Sequence, residues 1–339
     1  MQFLLRIGIE KKSQMFSNRK ISIVIVTYNS EKYISKNLSS IIKHNSNTIN
    51  QIIVADSNSK DNTLKIVKEH FPDVEILRLN NNGYGSALNS GFKICKNDYI
   101  IAANDDIYFI DNSINKVFNI FEKNKDIGVI GPKLLNEDLS LQKSITNNPS
   151  LIKDFFQIIF PNIVNAENIF FKNFISIFQN FSTIGRFDSH KQSKIVPSVK
   201  GAFLIFRKSV FDVTGGFDER IKFIGEEQIF SLKAKRKGWK TYYENDVTVI
   251  HVGGQSLGIE TSERNKKRYA IKIQSNLIYF KLYKSQLYYY LSTFIYSLAL
   301  FMRYSFLILT RSESRYTISF LLNLILKNNI LSYDIYKEN

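Results

Sequence analysis

The stretch ISIVIVTYNS, residues 21–30, decides the fold. Its first six residues form a nearly unbroken apolar, β-branched run that stops abruptly at Thr27-Tyr28-Asn29-Ser30. A half-exposed strand would alternate apolar and polar; a run this continuous reads as a strand buried on both faces, as in a parallel sheet. The next segment, EKYISKNLSSIIKH, carries Ile34, Leu38, Ile41 and Ile42 at helical spacing. The pattern then recurs. QIIVAD (51–56) is a strand, and Asp61 is the expected N-cap of a helix over NTLKIVKEH. VEILRL (74–79) is a third strand, NNNGYGSALNSGFKIC a Gly-rich loop entering a helix, and DYIIAA (98–103) a fourth strand. Such strand–helix alternation predicts an α/β fold, Rossmann-like and doubly wound, with a mostly parallel central sheet.

In such a sheet, ligands bind beyond the carboxyl ends of the strands. Thr27-Tyr28-Asn29, Asp56, Asn82-Gly83 and Asn104-Asp105-Asp106 each follow a predicted strand, so polar residues gather along one edge. Asp105-Asp106 stands out. Adjacent carboxylates repel, and burying them is costly unless a cation is held there. Mg²⁺ or Mn²⁺ suits such oxygen donors, taking one or two carboxylates and completing its shell with phosphate oxygens and water. The plainer reading of the same residues is a solvated turn after a strand.

Beyond the fourth strand, IGVIG (127–131) reads as another strand, and residues 137–197 read as a variable insertion of short helices. Order returns at 199–243. AFLIF is a strand, Gly215-Gly216 a turn, and Glu226–Lys237 a helix with Gly238 just beyond it. VTVIH (247–251) is a strand ending in His251. Residues 264–284 hold seven basic and no acidic residues, and 285–302 hold no charge before Arg303.

The chain has 339 residues, 44% of them hydrophobic, which suits a globular protein with one large core or two modest ones. Its single cysteine, Cys95, excludes an intrachain disulfide and fits a reducing compartment. The start, MQFLLRIGIEKKSQMF, has too short an apolar run for a secretory signal. A formal charge of +16 leaves polyanions, anionic membrane surfaces and phosphorylated substrates open as partners. No helix-turn-helix, zinc-finger or RNA-recognition signature is present, so nucleic acid is not expected.

Taken in order, these motifs resemble the family 2 glycosyltransferases of polysaccharide biosynthesis, some of them rhamnosyltransferases, which have the GT-A fold. IVIVTYNS, VADSNSKDNT, NNGYGSALNSGF, NDDI, KGAFLIFRKSVFDVTGGFDER, GEE and the strand ending at His251 carry the resemblance across about residues 20–255. It implies an inverting, metal-dependent transfer from a nucleotide-diphosphate sugar (TDP-rhamnose or a UDP-hexose) to a glycan or lipid-linked glycan. Carried over, Thr27, Tyr28 and Asn29 would line the nucleobase pocket with Asn82 and Gly83 nearby, and Asp56 would accept from the base. Asp106 would bind the metal, with Asp105 and Asn104 assisting toward ribose or metal and His251 near the diphosphate or completing the shell. Glu227, or its neighbour Glu226, would be the general base. Many relatives have Asn-Pro-Asp where this chain has Asn104-Asp105-Asp106, and Glu-Asp where it has Glu226-Glu227. Read without the resemblance, His251 suits a structural role and Glu226-Glu227 suits the positive end of a helix dipole.

The expected layout is a GT-A domain over 20–260 and a helical C-terminal extension over 261–339. A Lys-rich, Tyr-rich extension suits an anionic membrane surface at the inner face of the cell membrane; packing within the chain, or in a homodimer, would use the same residues. A sugar nucleotidyltransferase is the rival enzyme, but it would need a basic Gly-rich loop where this chain has TYNSEKY. A non-catalytic basic binding protein is the other rival.

Overall fold

The computed structural model describes residues 19–159, 190–221, 224–253 and 262–309. The first strand, β1 (Ile21–Thr27), lies between β2 (Ile49–Asp56) and β4 (Tyr99–Asn104), parallel to both, and β3 (Glu75–Arg78) extends the parallel set outside β2. Ile21, Ile23, Val24 and Ile25 are all fully buried, so both faces of β1 are covered, as its composition requires. The helix Ile34–Asn45 buries Ile34, Leu38 and Ile41, whereas Ile42 is 46% exposed. At 100° per residue, Ile42 falls beyond the edge of the stripe that the other three define. The helix Tyr84–Phe92 packs closely on the sheet through Gly91, where an added Cβ would lie 2.3 Å from Val24 Cγ1.

The helix Thr63–His70 starts differently from the expectation. Asn62 holds its N-cap position without a side-chain bond. Asp61, one residue earlier, accepts from the backbone N–H groups of Thr63 and Glu31 and from the Thr63 hydroxyl. Its carboxylate thus joins the loop after β1 to the loop after β2.

Past β4 the sheet becomes mixed. Strand β6 (Ile127–Leu135) is separated from β4 by β11 (Phe203–Arg207), which is antiparallel to both. Strand β12 (Lys240–His251) runs parallel to β6, and the short β5 (Ile107–Phe109) closes that edge antiparallel to β12. Strands β7 (Leu141–Gln142) and β9 (Lys194–Val196) pair with β6 and β12, while β8 (Ile145–Thr146) and β10 (Ser198–Val199) form a separate pair. Within the expected insertion the described residues therefore supply short strands as well as the helix Leu151–Ile159. Its residues 160–189 lie outside the described residues, as do 310–339.

The antiparallel β11 positions the site. Ala103 is paired with Phe203, and the Asn104 N–H donates to the Ala202 carbonyl at 3.0 Å. The entry to β11 therefore meets the exit of β4. The helix Glu226–Arg236 follows, and Gly238 just beyond it adopts φ +90°, as a helix C-terminal glycine does.

The chain divides into two compact units. The first contains this sheet and its helices, in residues 19–146, 190–221 and 226–253. The second contains the helices Leu151–Ile159, Ser262–Tyr283 and Gln286–Leu309. At its centre Asp154 Oδ2 accepts from Tyr296 Oη at 2.6 Å and Asn276 Nδ2 at 2.9 Å, tying the three helices together. Among the described residues no helix is long and apolar enough to cross a membrane.

Candidate active site

At the carboxyl edge of β1 and β2, Thr27 and Asp56 are register partners. Thr27 is fully buried and donates its hydroxyl to Asp56 Oδ1 at 3.0 Å, so it orients the carboxylate. Ser59 donates both its backbone N–H, to Oδ2 at 3.0 Å, and its hydroxyl, to Oδ1 at 2.5 Å. Three donors hold the buried Asp56 rigidly. Tyr28 leaves its ring 47% exposed at this edge, where a planar base can stack. Asn29, in the left-handed region at φ 52°, has its Oδ1 occupied by the Lys60 N–H at 2.8 Å, so it braces the loop. Asn82 is exposed, and Gly83 adopts φ +106° at the N-cap of the next helix, a conformation glycine reaches without strain.

The acidic loop follows β4. Asp106 is buried; its Oδ2 accepts from the Gly253 N–H at 3.0 Å, while its Oδ1 has no hydrogen-bond partner. Burial pushes its carboxyl above the ordinary range, against the Gly253 N–H, the Asn104 side chain and the charge of Lys200. Burial, then repulsion from Asp106, pushes Asp105 up to about 7. The pairing of β12 with β5 brings His251 opposite Ile107, and His251 Nε2 lies 3.5 Å from Asp106 Oδ1.

The orientation of His251 is fixed by Gln142. Its Oε1 accepts from His251 Nδ1 at 2.6 Å and from Lys200 Nζ at 2.8 Å. Its Nε2 donates to Asn136 Oδ1 at 2.8 Å and to the His251 carbonyl at 3.1 Å, which sets the amide's direction. Nδ1 therefore carries a proton, and Nε2 is turned toward Asp106 Oδ1. A ring nitrogen facing a buried carboxylate oxygen suits either a proton on Nε2 or a cation between the two. The Asp106 oxygen suits Mg²⁺ or Mn²⁺, and a nitrogen donor beside it is the better match to a first-row transition ion such as Mn²⁺. Among the described residues no group of three His, Cys, Asp or Glu is placed to hold a metal ion.

The third part of the site is the helix start at Glu226-Glu227, both buried. Gly201 packs against them: a Cβ there would lie 3.3 Å from Glu226 Oε1 and from Glu227 Cβ. The buried Tyr84 donates its hydroxyl to the Gly201 carbonyl at 3.1 Å. Burial first, then the charges of Glu226, Asp105, Asp106 and Glu227, raise the Tyr84 phenol well above its ordinary value, so it stays a neutral donor. Burial and repulsion from Glu227 likewise raise Glu226 well above the carboxylate range, and its Oε2 has no hydrogen-bond partner.

The structure thus brings Asn104, Asp105, Asp106, His251, Glu226 and Glu227 around Tyr84, Lys200 and Gly201, and places Thr27, Tyr28 and Asp56 on the adjoining strand ends. Sequence reasoning missed Tyr84, Gln142, Lys200 and Gly201. Three of these lie inside segments that carry the family resemblance, and a glycine just before an apolar strand was a usable signal. Nothing in LQKS, residues 141–144, marks Gln142.

The sequence matches "Glycosyl transferase family 2" over residues 22–212, more than half of the chain, and "Glycosyl transferase family group 2" over 153–331. It is 24% identical over 256 residues to an N-acetylglucosaminyl-diphospho-decaprenol L-rhamnosyltransferase of Mycobacterium tuberculosis, covering 70% of this chain and 78% of that protein. It is 31% identical over 118 residues to a poly(ribitol-phosphate) beta-glucosyltransferase of Bacillus spizizenii, covering 33% and 19%. The crystal structure of S. aureus TarS 1-349 in complex with UDP aligns over 84% of this chain and 72% of that one, with TM-score 0.46 and 17% identity. On the family match, the chain belongs to the family 2 glycosyltransferases.

Proposed function

We propose that this protein transfers one sugar, with inversion, from a nucleotide-diphosphate sugar to a hydroxyl of a lipid-linked glycan during assembly of cell-envelope polysaccharide. The observation that carries the reading is the convergence of Asp105-Asp106, Lys200-Gly201 and Glu226-Glu227 around Tyr84. The rhamnosyl and glucosyl transfers of the mycobacterial and Bacillus relatives support the substrate class, and TDP-rhamnose or a UDP-hexose is the donor expected.

Asp56, held by Thr27 and Ser59, presents a fixed acceptor for a base N–H, and Tyr28 offers a stacking face. Asp106 and His251 would hold Mg²⁺ or Mn²⁺, which when bound stabilises charge on a diphosphate leaving group. On the other side a base must take the acceptor hydroxyl's proton. A carboxyl kept protonated cannot do so, and Glu226 is pushed in that direction. Burial and mutual repulsion favour one proton on the Glu226-Glu227 pair, and Glu227 is taken as the base because the family resemblance puts it there.

Two substitutions test this. Glu227→Gln should lower kcat by ~10²–10⁴-fold with donor affinity kept. Asp106→Ala should abolish the Mn²⁺-dependent rise in melting temperature given by the cognate nucleotide sugar among TDP-rhamnose, UDP-glucose, UDP-galactose and UDP-N-acetylglucosamine. Full transfer activity in Glu227→Gln, or no thermal shift with any of these donors, would sink the reading.

A further inference from the structure

The helix Gln286–Leu309 is oriented against the usual rule for a water-soluble protein. The side it buries, against its neighbours in the second unit, holds Ser292, Tyr296, Ala299 and Leu300, with Tyr296 bonded to Asp154. Arg303, one turn further, donates to the Ile158 carbonyl at 3.1 Å. The opposite side shows Leu287, Tyr290, Leu291, Phe294, Leu298, Phe301 and Met302, each between 40% and 79% exposed. Spacings of three and four make these seven a single stripe along about four turns. Seven large apolar or aromatic side chains face outward, while Ser292 and Ala299 take inward positions beside Tyr296 and Leu300. A contiguous apolar patch of this length marks a surface made to be covered.

Charge says what covers it. Across residues 262–303 the sequence has eight basic residues against the single acid Glu263, and 285–302 has no charge at all. The exposed Lys281 and Lys284 stand at the start of the stripe, and Lys281 lies over the Tyr289 ring. A second copy seated on this face would meet the same positive charge. An anionic lipid surface meets it with opposite charge and accepts the apolar stripe between its headgroups. Among the described residues no helix is long and apolar enough to cross a bilayer, and an outward stripe of this kind suits contact along its surface.

We propose that the helix Gln286–Leu309 docks this protein onto an anionic lipid bilayer through its Leu287–Met302 stripe. The inference does not depend on the catalytic reading, because the stripe and the acidic site belong to different units and their tests use different readouts.

The test is flotation of the full chain with vesicles of phosphatidylcholine alone or with about a third phosphatidylglycerol. Binding to the anionic vesicles is expected, reduced at least ~tenfold on neutral ones and at high salt. The double variant F294D/F301D should lose flotation while its melting temperature in lipid-free buffer stays unchanged, because both side chains are exposed; F294S/F301S gives a milder second version. Absence of flotation, or equal flotation of the variants, overturns the proposal. So does a dimer in sedimentation that the variants dissociate, which would assign the face to a second copy. In L298C, maleimide should react fast in buffer and slowly on vesicles, with buried Cys95 as a silent background. A thiol unreactive in buffer would show the face already covered by the chain's own residues, also overturning it.

Discussion

Gln142→Ala tests the architecture at its least obvious point. Gln142 Oε1 is the acceptor shared by His251 Nδ1, at 2.6 Å, and Lys200 Nζ, at 2.8 Å. Removing it deletes the bond that keeps a proton on His251 Nδ1 and holds Nε2 toward Asp106. Outer contacts of this kind typically cost 10–100-fold in metal affinity when removed, about 1.4–2.8 kcal/mol. The cost in fold stability should be smaller, about 1 kcal/mol, because water reaches this half-buried position and replaces the lost acceptor. The assay is an Mn²⁺ titration followed by electron paramagnetic resonance, with UDP or TDP present, beside urea unfolding of both proteins. Nitrogen-15 spectra of the wild type should show the His251 proton on Nδ1. If the variant binds Mn²⁺ within twofold of the wild type, or if Nδ1 of the wild type carries no proton, the role given to Gln142 is wrong.

Three further outcomes follow from other parts of the molecule. Gly91→Ala should destabilise by about 1–3 kcal/mol in urea unfolding, although alanine favours helix by about 1 kcal/mol, because its methyl would meet Val24 at 2.3 Å; a stabilised variant would show that this helix can move off the sheet. Tyr28→Ala should weaken donor binding several-fold and leave the melting temperature unchanged, whereas Tyr28→Phe should bind as the wild type does; equal loss in both would point to the hydroxyl instead of the ring face. Asp154 has its pKa raised above 3.8 by burial, against Lys272, Tyr296, Asn276 and Lys153. The folded state thus holds that proton more tightly than the unfolded chain, so this group's contribution to stability is full in acid and is lost as pH rises through the unfolded and then the folded pKa. Asp154→Asn removes that slope, and its stability relative to wild type should rise from about pH 4 toward neutrality; a difference flat with pH would refute the assignment.

Much of the site was written locally. The burial of β1 on both faces followed from ISIVIV, and strand ends at Thr27, Asp56 and Asn104 followed from where apolar runs stop. Hydrophobic periodicity reports how a segment sits against whatever covers it, so it fixes element type and the facing of polar ends. It carries no information about direction or neighbour. AFLIF reads the same whichever way it runs, and only the assembled sheet places it antiparallel between β4 and β6. That placement brings Ala202 to Asn104 and Gly201 to the two glutamates.

Contacts between distant segments were likewise invisible. Gln142 meets His251 across 109 residues of chain, and the sequence around it has no distinguishing pattern. Thr27 and Asn29 were legible as site residues, yet their hydroxyl and amide turned out to brace Asp56 and the neighbouring loop. In the C-terminal helices the composition suited a membrane surface, and packing within the chain would use the same residues. Packing decided which face of Gln286–Leu309 turned inward, because Tyr296 had to reach the buried carboxylate of Asp154 and its small neighbours let the helices approach. The sequence alone determined the α/β alternation, the polar strand edge and the carboxylates that sit there. The tertiary structure decided which of them meet, because that depends on strand direction and on side chains brought together from far apart in the chain.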